Sequence, residues 1–279
     1  MNLTRIAING YKSIKECDLP LGSLNILIGA NGAGKSNFIS FFKMLPEMPA
    51  GRMRIYVGKQ GGADDLLTFG RKVTSRLHFE LESDQYTYKA DLEPTHDDRL
   101  LFVNEGLTLT HGINTADLLA FRQYGNYESH LADLETTGRG SLLKANFNLR
   151  AYHFPDTGVT SPIKRLQPLN DNEQLASDAA NLAPFLLRLK THHPGEYQNI
   201  IRTVRLIAPF FDDFHLRPSP DNKDMIELEW KELGADRPFK AYLLSDGTLR
   251  FICLAVLLMQ PPEFQPATII IDEPELGLH

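Results

Sequence analysis

Apolar positions along the chain recur at two spacings, which divide it into strands and helices. Leu3, Ile6 and Ile8 stand among polar neighbours, the alternation of a half-buried strand, and 14–21 reads as a second strand. Residues 24–28 (Leu-Asn-Ile-Leu-Ile) form a β-rich run that glycine follows at once, which predicts a buried strand. The apolar-rich stretch up to Leu45 predicts a helix that Pro46 and Pro49 stop. Segments 76–82, 85–93 and 100–110 predict antiparallel strands, separated by turn-prone Ser83-Asp84 and Thr95-His96-Asp97-Asp98. Residues 111–150 show no strong period. Residues 178–190 and 195–208 are amphipathic at helical spacing, whereas 225–230 and 239–243 read as strands. Residues 246–259 are apolar on nearly every face, the mark of a buried helix, and Pro261-Pro262 ends it. The last run, 267–271 (Ala-Thr-Ile-Ile-Ile), is expected in a parallel sheet buried on both faces.

Composition bounds this picture. The 279 residues suffice for one large or two small domains, and 42% hydrophobic content supports a full core. A formal charge of −6 does not suggest a protein that coats nucleic acid, although net charge leaves room for a local basic groove. Cys17 and Cys253 form no metal-ligand spacing, and Cys253 reads as a small core residue. A reducing, cytoplasmic setting fits. The start lacks a long apolar segment, and the longest apolar run, 251–259, is far short of the roughly 20 residues a bilayer needs. The expectation is a soluble protein that does not itself bind a membrane, so any membrane role would need a partner.

Three motifs carry chemistry. Gly29-Ala30-Asn31-Gly32-Ala33-Gly34-Lys35-Ser36 matches G-x-x-x-x-G-K-[ST] between a strand-like run and a helix-like one. Its glycines let backbone N–H groups curl toward phosphate oxygens, and the helix adds its positive end. Lys35 is the residue to bridge the outer phosphates and Ser36 the one to ligate Mg²⁺, with Asn37 following. The second motif, Ile269-Ile270-Ile271-Asp272-Glu273-Pro274, puts two acids at the end of an apolar strand, where α/β folds bind ligands. Asp272 would hold Mg²⁺ directly or through water, and Glu273 would orient or deprotonate the attacking water. The third, Leu244-Ser245-Asp246-Gly247-Thr248, reads locally as a helix cap by Ser245 or Asp246, and also as a set of N–H groups presented to an anion.

In this order the three motifs resemble the ABC-type ATPases, in which a signature turn precedes the acidic strand. The opening Ile8-Asn9-Gly10-Tyr11-Lys12-Ser13-Ile14 resembles the RecF/SMC branch. GGADDLL at 61–67, YHFPDTG at 152–158, APFFDDF at 208–214, LSDGTLRF at 244–251 and IDEPELGLH at 271–279 are similar to a bacterial family of "predicted ATPases" (AAA family ATPases with an LSDGT signature) in that branch. The resemblance implies an α/β P-loop NTPase fold, an ABC-like head with an antiparallel β lobe and a helical insertion. It implies ATP and Mg²⁺ as cofactors and a homodimer that sandwiches two nucleotides, with Ser245 and Gly247 contacting the γ-phosphate held by the second subunit. It also implies an output on DNA or a nuclease or effector partner. Gln60 is a candidate for the glutamine that senses Mg²⁺ and water, and an exposed loop glutamine fits the sequence equally. By the same resemblance Lys12 and Ser13 reach the nucleotide, although an exposed strand end explains them too.

Two departures stand out. Position 246 is Asp where the ABC signature usually has Gly, which puts an acid near phosphate unless it is turned away, although LSDGT is normal for the closer family that the chain resembles. The chain also stops at His279, within a D-loop-like turn, so the expectation is a head that is C-terminally incomplete. The organisation expected is one head over 1–279. It comprises a P-loop core and β lobe over 1–110, a mixed, largely helical insertion over 111–240, and signature helix and acidic strand over 241–279. Three rival readings remain: a nucleotide-gated dimerisation module with little hydrolysis, the ATPase subunit of a defence or repair nuclease, and a transporter ATPase, which the RecF-like opening opposes. His192 and His193, beside Pro194 and without acids at ligand spacing, read as a solvated helix end. His153 and Asp156 belong to the family-like loop without a derivable role. Trp230, Phe210, Phe211 and Phe214 read as packing residues.

Overall fold

The computed structural model describes residues 3–109, 118–121, 125–133, 147–154 and 161–275. Asp156, His279 with the rest of the turn over 276–279, and positions 110–117 lie outside the described residues. The chain divides into two compact units, 1–150 with 266–270, and 151–265 with 271–279.

The first unit is built on strands β1 (Leu3–Tyr11), β2 (Ile14–Pro20), β3 (Leu77–Ser83), β4 (Tyr86–Pro94), β5 (Leu100–Leu109) and β6 (Leu118–Phe121). They form one antiparallel sheet in the order β2-β1-β3-β4-β5-β6. Alternation decides its faces. Leu77, Phe79 and Leu81 of β3 and Tyr86, Tyr88, Ala90 and Leu92 of β4 are buried, and the register brings Phe79 opposite both Ile8 and Ala90. On the polar face Arg5 grips Asp18 through two 2.7 Å hydrogen bonds and Glu82 through a third. That network favours the register over slipped pairings, and such exposed ion pairs add little to stability.

Helix α1 (Lys35–Met44) covers the apolar face with Phe38, Phe41, Phe42 and Met44, one stripe at helical spacing. Phe41 meets Phe79 edge-on at 5.2 Å and Tyr11 at 5.4 Å, and none of it is exposed. Truncating it opens a cavity beneath the helix that carries Lys35. Phe41→Ala is expected to lower the unfolding free energy by about 3–5 kcal/mol, measured by urea denaturation. Two short helices follow, α2 (Met53–Lys59) and α3 (Ala63–Leu66). Glu105 of β5 is a buried acid with donors on both oxygens: Tyr88 Oη and Ser129 Oγ donate to Oε1 and the His130 amide to Oε2. Burial, reinforced by that carboxylate, pushes the Tyr88 phenol well above its ordinary pKa.

Residues 24–28 depart from expectation. They form no strand, and Leu24, Ile26 and Ile28 are exposed, Ile28 by 91%. An apolar run becomes a buried strand only beside a partner, and these residues pair with no strand among the described residues. The segment leaves β2 through a turn closed by Asn25, whose side chain exchanges two 2.9 Å hydrogen bonds with Gly22.

Strand β7 (Leu149–His153) crosses from the first unit into the second. The second unit then holds β8 (Gln167–Pro168), α4 (Leu182–His192), α5 (Pro194–Ile207), β9 (Phe211–Phe214), β10 (Met225–Ile226), β11 (Glu229–Glu232), β12 (Phe239–Lys240) and α6 (Asp246–Met259). Helix α5 packs against both α4 and α6. The run expected as one strand over 225–230 is divided, because β10 pairs with β8 whereas β11 pairs with β9 and β12. Helix α4 starts later than its apolar pattern suggests. The buried Asn181 side chain accepts from the Ala176 amide and donates to the Asp171 and Gln174 carbonyls, which holds the preceding turn out of the helix. Trp230 stacks on Phe211 at 5.9 Å and both are buried, whereas Phe210 is 43% exposed. His193 is packed instead of solvated, its ring edge-on to Phe264 at 5.1 Å and 3.6 Å from Glu263. The last strand, β13 (Thr268–Asp272), pairs with β7 and is half-buried along its whole length, which corrects the expectation of burial on both faces.

Candidate functional site

Loop 29–34 leads into α1 through Gly34, whose φ of 96° lies in the left-handed region; a side chain there would also sit 3.3 Å from Ser13 Oγ. The loop turns back on itself, the Ala33 amide donating to the Ala30 carbonyl at 3.1 Å. Lys35 Nζ donates to the carbonyls of Gly29 and Ala30 at 2.5 and 3.1 Å, so the start of the loop holds the ammonium at the head of a ten-residue helix. Gly29, Ala30, Asn31, Gly32, Ala33 and Ser36 are exposed.

Residues outside the loop pair with one another. Asn37 Nδ2 donates to Ser13 Oγ at 2.7 Å, and Lys12 Nζ donates to Gln60 Oε1 at 3.0 Å. Burial pulls the Lys12 ammonium below its ordinary pKa, with Asp65 opposing that fall and Lys43 adding to it. Lys12 itself has a φ of 46° and its amide donates to the Leu66 carbonyl at 2.8 Å. The GGADDLL segment therefore has a local purpose. Gly61 and Gly62 turn with φ of 98° and 106°, where a side chain would collide with the Asp65 and Asp98 carboxylates, respectively. Asp98 in turn accepts from the Asp64 amide at 3.0 Å. Glu128 receives the Met53 and Arg54 amides at 2.7 and 3.1 Å, fastening the start of α2, the helix that ends at Gln60.

In the second unit, Asp272 closes β13 with its side chain 23% exposed, and His153 Nδ1 stands 3.4 Å from its carbonyl oxygen and 4.0 Å from its carboxylate. Glu273 is exposed and has a φ of 49°, a left-handed conformation that costs about 1–3 kcal/mol and runs against the extended backbone a following proline prefers. In the signature-like turn, Ser245 is the cap: its Oγ accepts from the Thr248 amide at 3.1 Å at the start of α6. Asp246, the next residue, lies 3.6 Å from Lys164 Nζ. Gly247 follows within the first turn, where the amides of 246 and 247 precede the helix ladder. Sequence reasoning does not single out Glu128 or Lys164. The YHFPDTG motif flags His153 but not its neighbour Asp272, 119 residues away.

Residues 24–279 match the family described as "AAA domain, putative AbiEii toxin, Type IV TA system". The chain belongs to this family. Among solved structures, it is similar to an SMC head bound to the C-winged helix domain of ScpA, at 17% identity and a TM-score of 0.54, over 96% of this chain and 78% of that one. A structure from work on ATP-driven dimerisation and DNA-stimulated activation of SMC ATPases aligns with 50% of this chain and 83% of its own, at 17% identity and a TM-score of 0.31. No curated protein matches the sequence. The AAA-domain match and the SMC-head likeness establish an α/β P-loop NTPase fold with an antiparallel sheet, and the family match places the chain among nucleotide-binding ATPases. No helix among the described residues is long and apolar enough to cross a membrane.

The family match implies a nucleotide and, as is usual for P-loop ATPases, Mg²⁺. The described residues contain no group of three or more His, Cys, Asp or Glu able to hold a metal on their own. Mg²⁺ needs no such cage, since it takes most of its ligands from phosphates and water beside one or two protein oxygens. Ser36 at the head of α1 is a hydroxyl oxygen of that kind in the first unit, and Asp272 at the end of β13 a carboxylate of that kind in the second.

Proposed function

We propose that this chain is one ATPase head over 1–279 that binds ATP·Mg²⁺ at 29–37, hydrolyses it and couples the cycle to dimerisation. The observation that carries the reading is the pair of loop carbonyls on the Lys35 ammonium. A lysine held inside its own glycine-rich loop is already at the place where the outer phosphates of a nucleotide would replace those carbonyls as its partners. The backbone N–H groups from Gly29 to Ser36 bind the phosphates, Ser36 and Asp272 hold the magnesium, and Glu273 orients the water and takes its proton. Lys12, Ser13 and Gln60 reach toward the same nucleotide, a reading that the separate Lys12–Gln60 and Asn37–Ser13 hydrogen bonds support. Ser245 and Gly247 of a second copy close over the γ-phosphate. The output falls on DNA or a partner protein in the cytoplasm.

A dimerisation assay with a turnover arm tests this. Sedimentation should show dimers with ATP·Mg²⁺ and monomers with ADP, and single-turnover mixing should release phosphate. A dimer without phosphate release would leave a nucleotide-gated binding module. A monomer under both nucleotides would remove the dimer from the cycle.

A further inference from the structure

Asp246 begins α6 with its side chain 61% exposed, while the cap hydroxyl of Ser245 is committed to the Thr248 amide. A carboxylate at this end of a helix is favourable for the helix itself. The same charge opposes any phosphate that approaches the free amides of the turn. Lys164 supplies the opposite charge, its Nζ 3.6 Å from Asp246 Oδ1 and its side chain only 6% exposed. It is held by a short 3-10 turn, Pro162–Lys164, in which Pro162 fixes the backbone and Ile163 is buried. That turn packs against a second one, Ala241–Leu243, which leads directly into the 244–248 motif. A buried stem delivered by one turn and an acid delivered by the next thus meet at the mouth of the helix. An exposed lysine would sample many positions, whereas this one is confined to the turn.

We propose that Lys164 is a positioning residue that neutralises Asp246, so that the turn at 245–247 accepts the γ-phosphate of a nucleotide held by a second copy of this chain. This rests on the dimer reading above. The pair lets an acid occupy the signature position without repelling its ligand, and makes the turn's affinity for phosphate depend on a residue some eighty positions upstream.

The test uses the full chain with Mg²⁺ and a non-hydrolysable ATP analogue, following dimer formation by sedimentation and nucleotide affinity at protein concentrations where the chain is monomeric. Lys164→Met should weaken the dimer by about tenfold or more while monomer affinity for the analogue is unchanged. Lys164→Arg should retain the dimer, and Lys164→Met with Asp246→Asn should restore it. A purely structural lysine would not be rescued by neutralising Asp246. Should Lys164→Met fail to fold, Asp246→Asn alone decides, because it should dimerise at least as tightly as the unaltered chain. Unchanged dimerisation of Lys164→Met, a double variant as weak as the single one, or weaker dimerisation of Asp246→Asn would each overturn the proposal. An unaltered chain that binds the analogue and stays monomeric would instead refute the dimer reading, and the proposal with it.

Discussion

Replacing Glu273 by glutamine is expected to leave ATP binding intact and to lower turnover by about 10²–10⁴-fold, the range that removing a general base produces. Glutamine keeps the length and shape of the side chain and can still hold a water by hydrogen bonding, but it cannot accept a proton. The left-handed backbone at Glu273 gives the substitution added meaning. A residue held in a costly conformation directly after Asp272, and before a proline, is there for its side chain or for the turn it makes. Glutamine tolerates that conformation about as well as glutamate, so the fold should survive and the chemistry should not. Pre-steady-state phosphate release together with equilibrium binding of labelled ATP separates the two effects. Turnover within a few-fold of the unaltered chain would remove Glu273 from the proposed mechanism.

Lys35→Ala is expected to act on binding itself. Its ammonium has two carbonyl partners in the loop, so the loss includes contacts that shape the loop as well as those a phosphate would make. Charge-assisted hydrogen bonds contribute about 1.5–3 kcal/mol each, or roughly ten- to hundredfold in Kd. The core of the helix should be indifferent, because Phe38, Phe41 and Phe42 pack on one another and on Phe79 and keep those contacts. Titration calorimetry with ATP·Mg²⁺ should therefore show a large loss of affinity, with an unfolding midpoint close to that of the unaltered chain. Unaltered affinity would contradict the phosphate assignment of loop 29–36.

What could be read from sequence was what local chemistry determines. Alternation at 76–109 declares which face of each strand is buried, and Leu77, Phe79, Leu81 and Tyr88 lie where it puts them. The helix over 246–259 has the bounds its apolar surround and terminal Pro261-Pro262 imply, but it is not buried all round, since Leu258 is exposed; Ser245 takes one of the two cap roles left open. The loop-and-lysine motif is legible for the same reason: its glycines and its helix are adjacent in the chain. Features that depend on distant partners were not legible. An apolar run at 24–28 looks like a core strand whether or not a neighbour exists to bury it. The glycines of GGADDLL need Asp98, more than thirty residues on, to explain one of them. The start of α4 is set by a buried asparagine that reaches back over the preceding loop. His153 beside Asp272, Glu128 on α2 and Lys164 beside Asp246 are all long-range pairings. No spacing rule reveals them.

Determining the structure of the chain with ATP and Mg²⁺ bound tests the central claim most directly. The expected result is Lys35 Nζ released from the Gly29 and Ala30 carbonyls and within about 3 Å of an outer phosphate oxygen, with Ser36 and Asp272 sharing one magnesium. A triphosphate bound away from loop 29–36, or an Asp272 carboxylate too far from Ser36 to share that ion even through water, would contradict it.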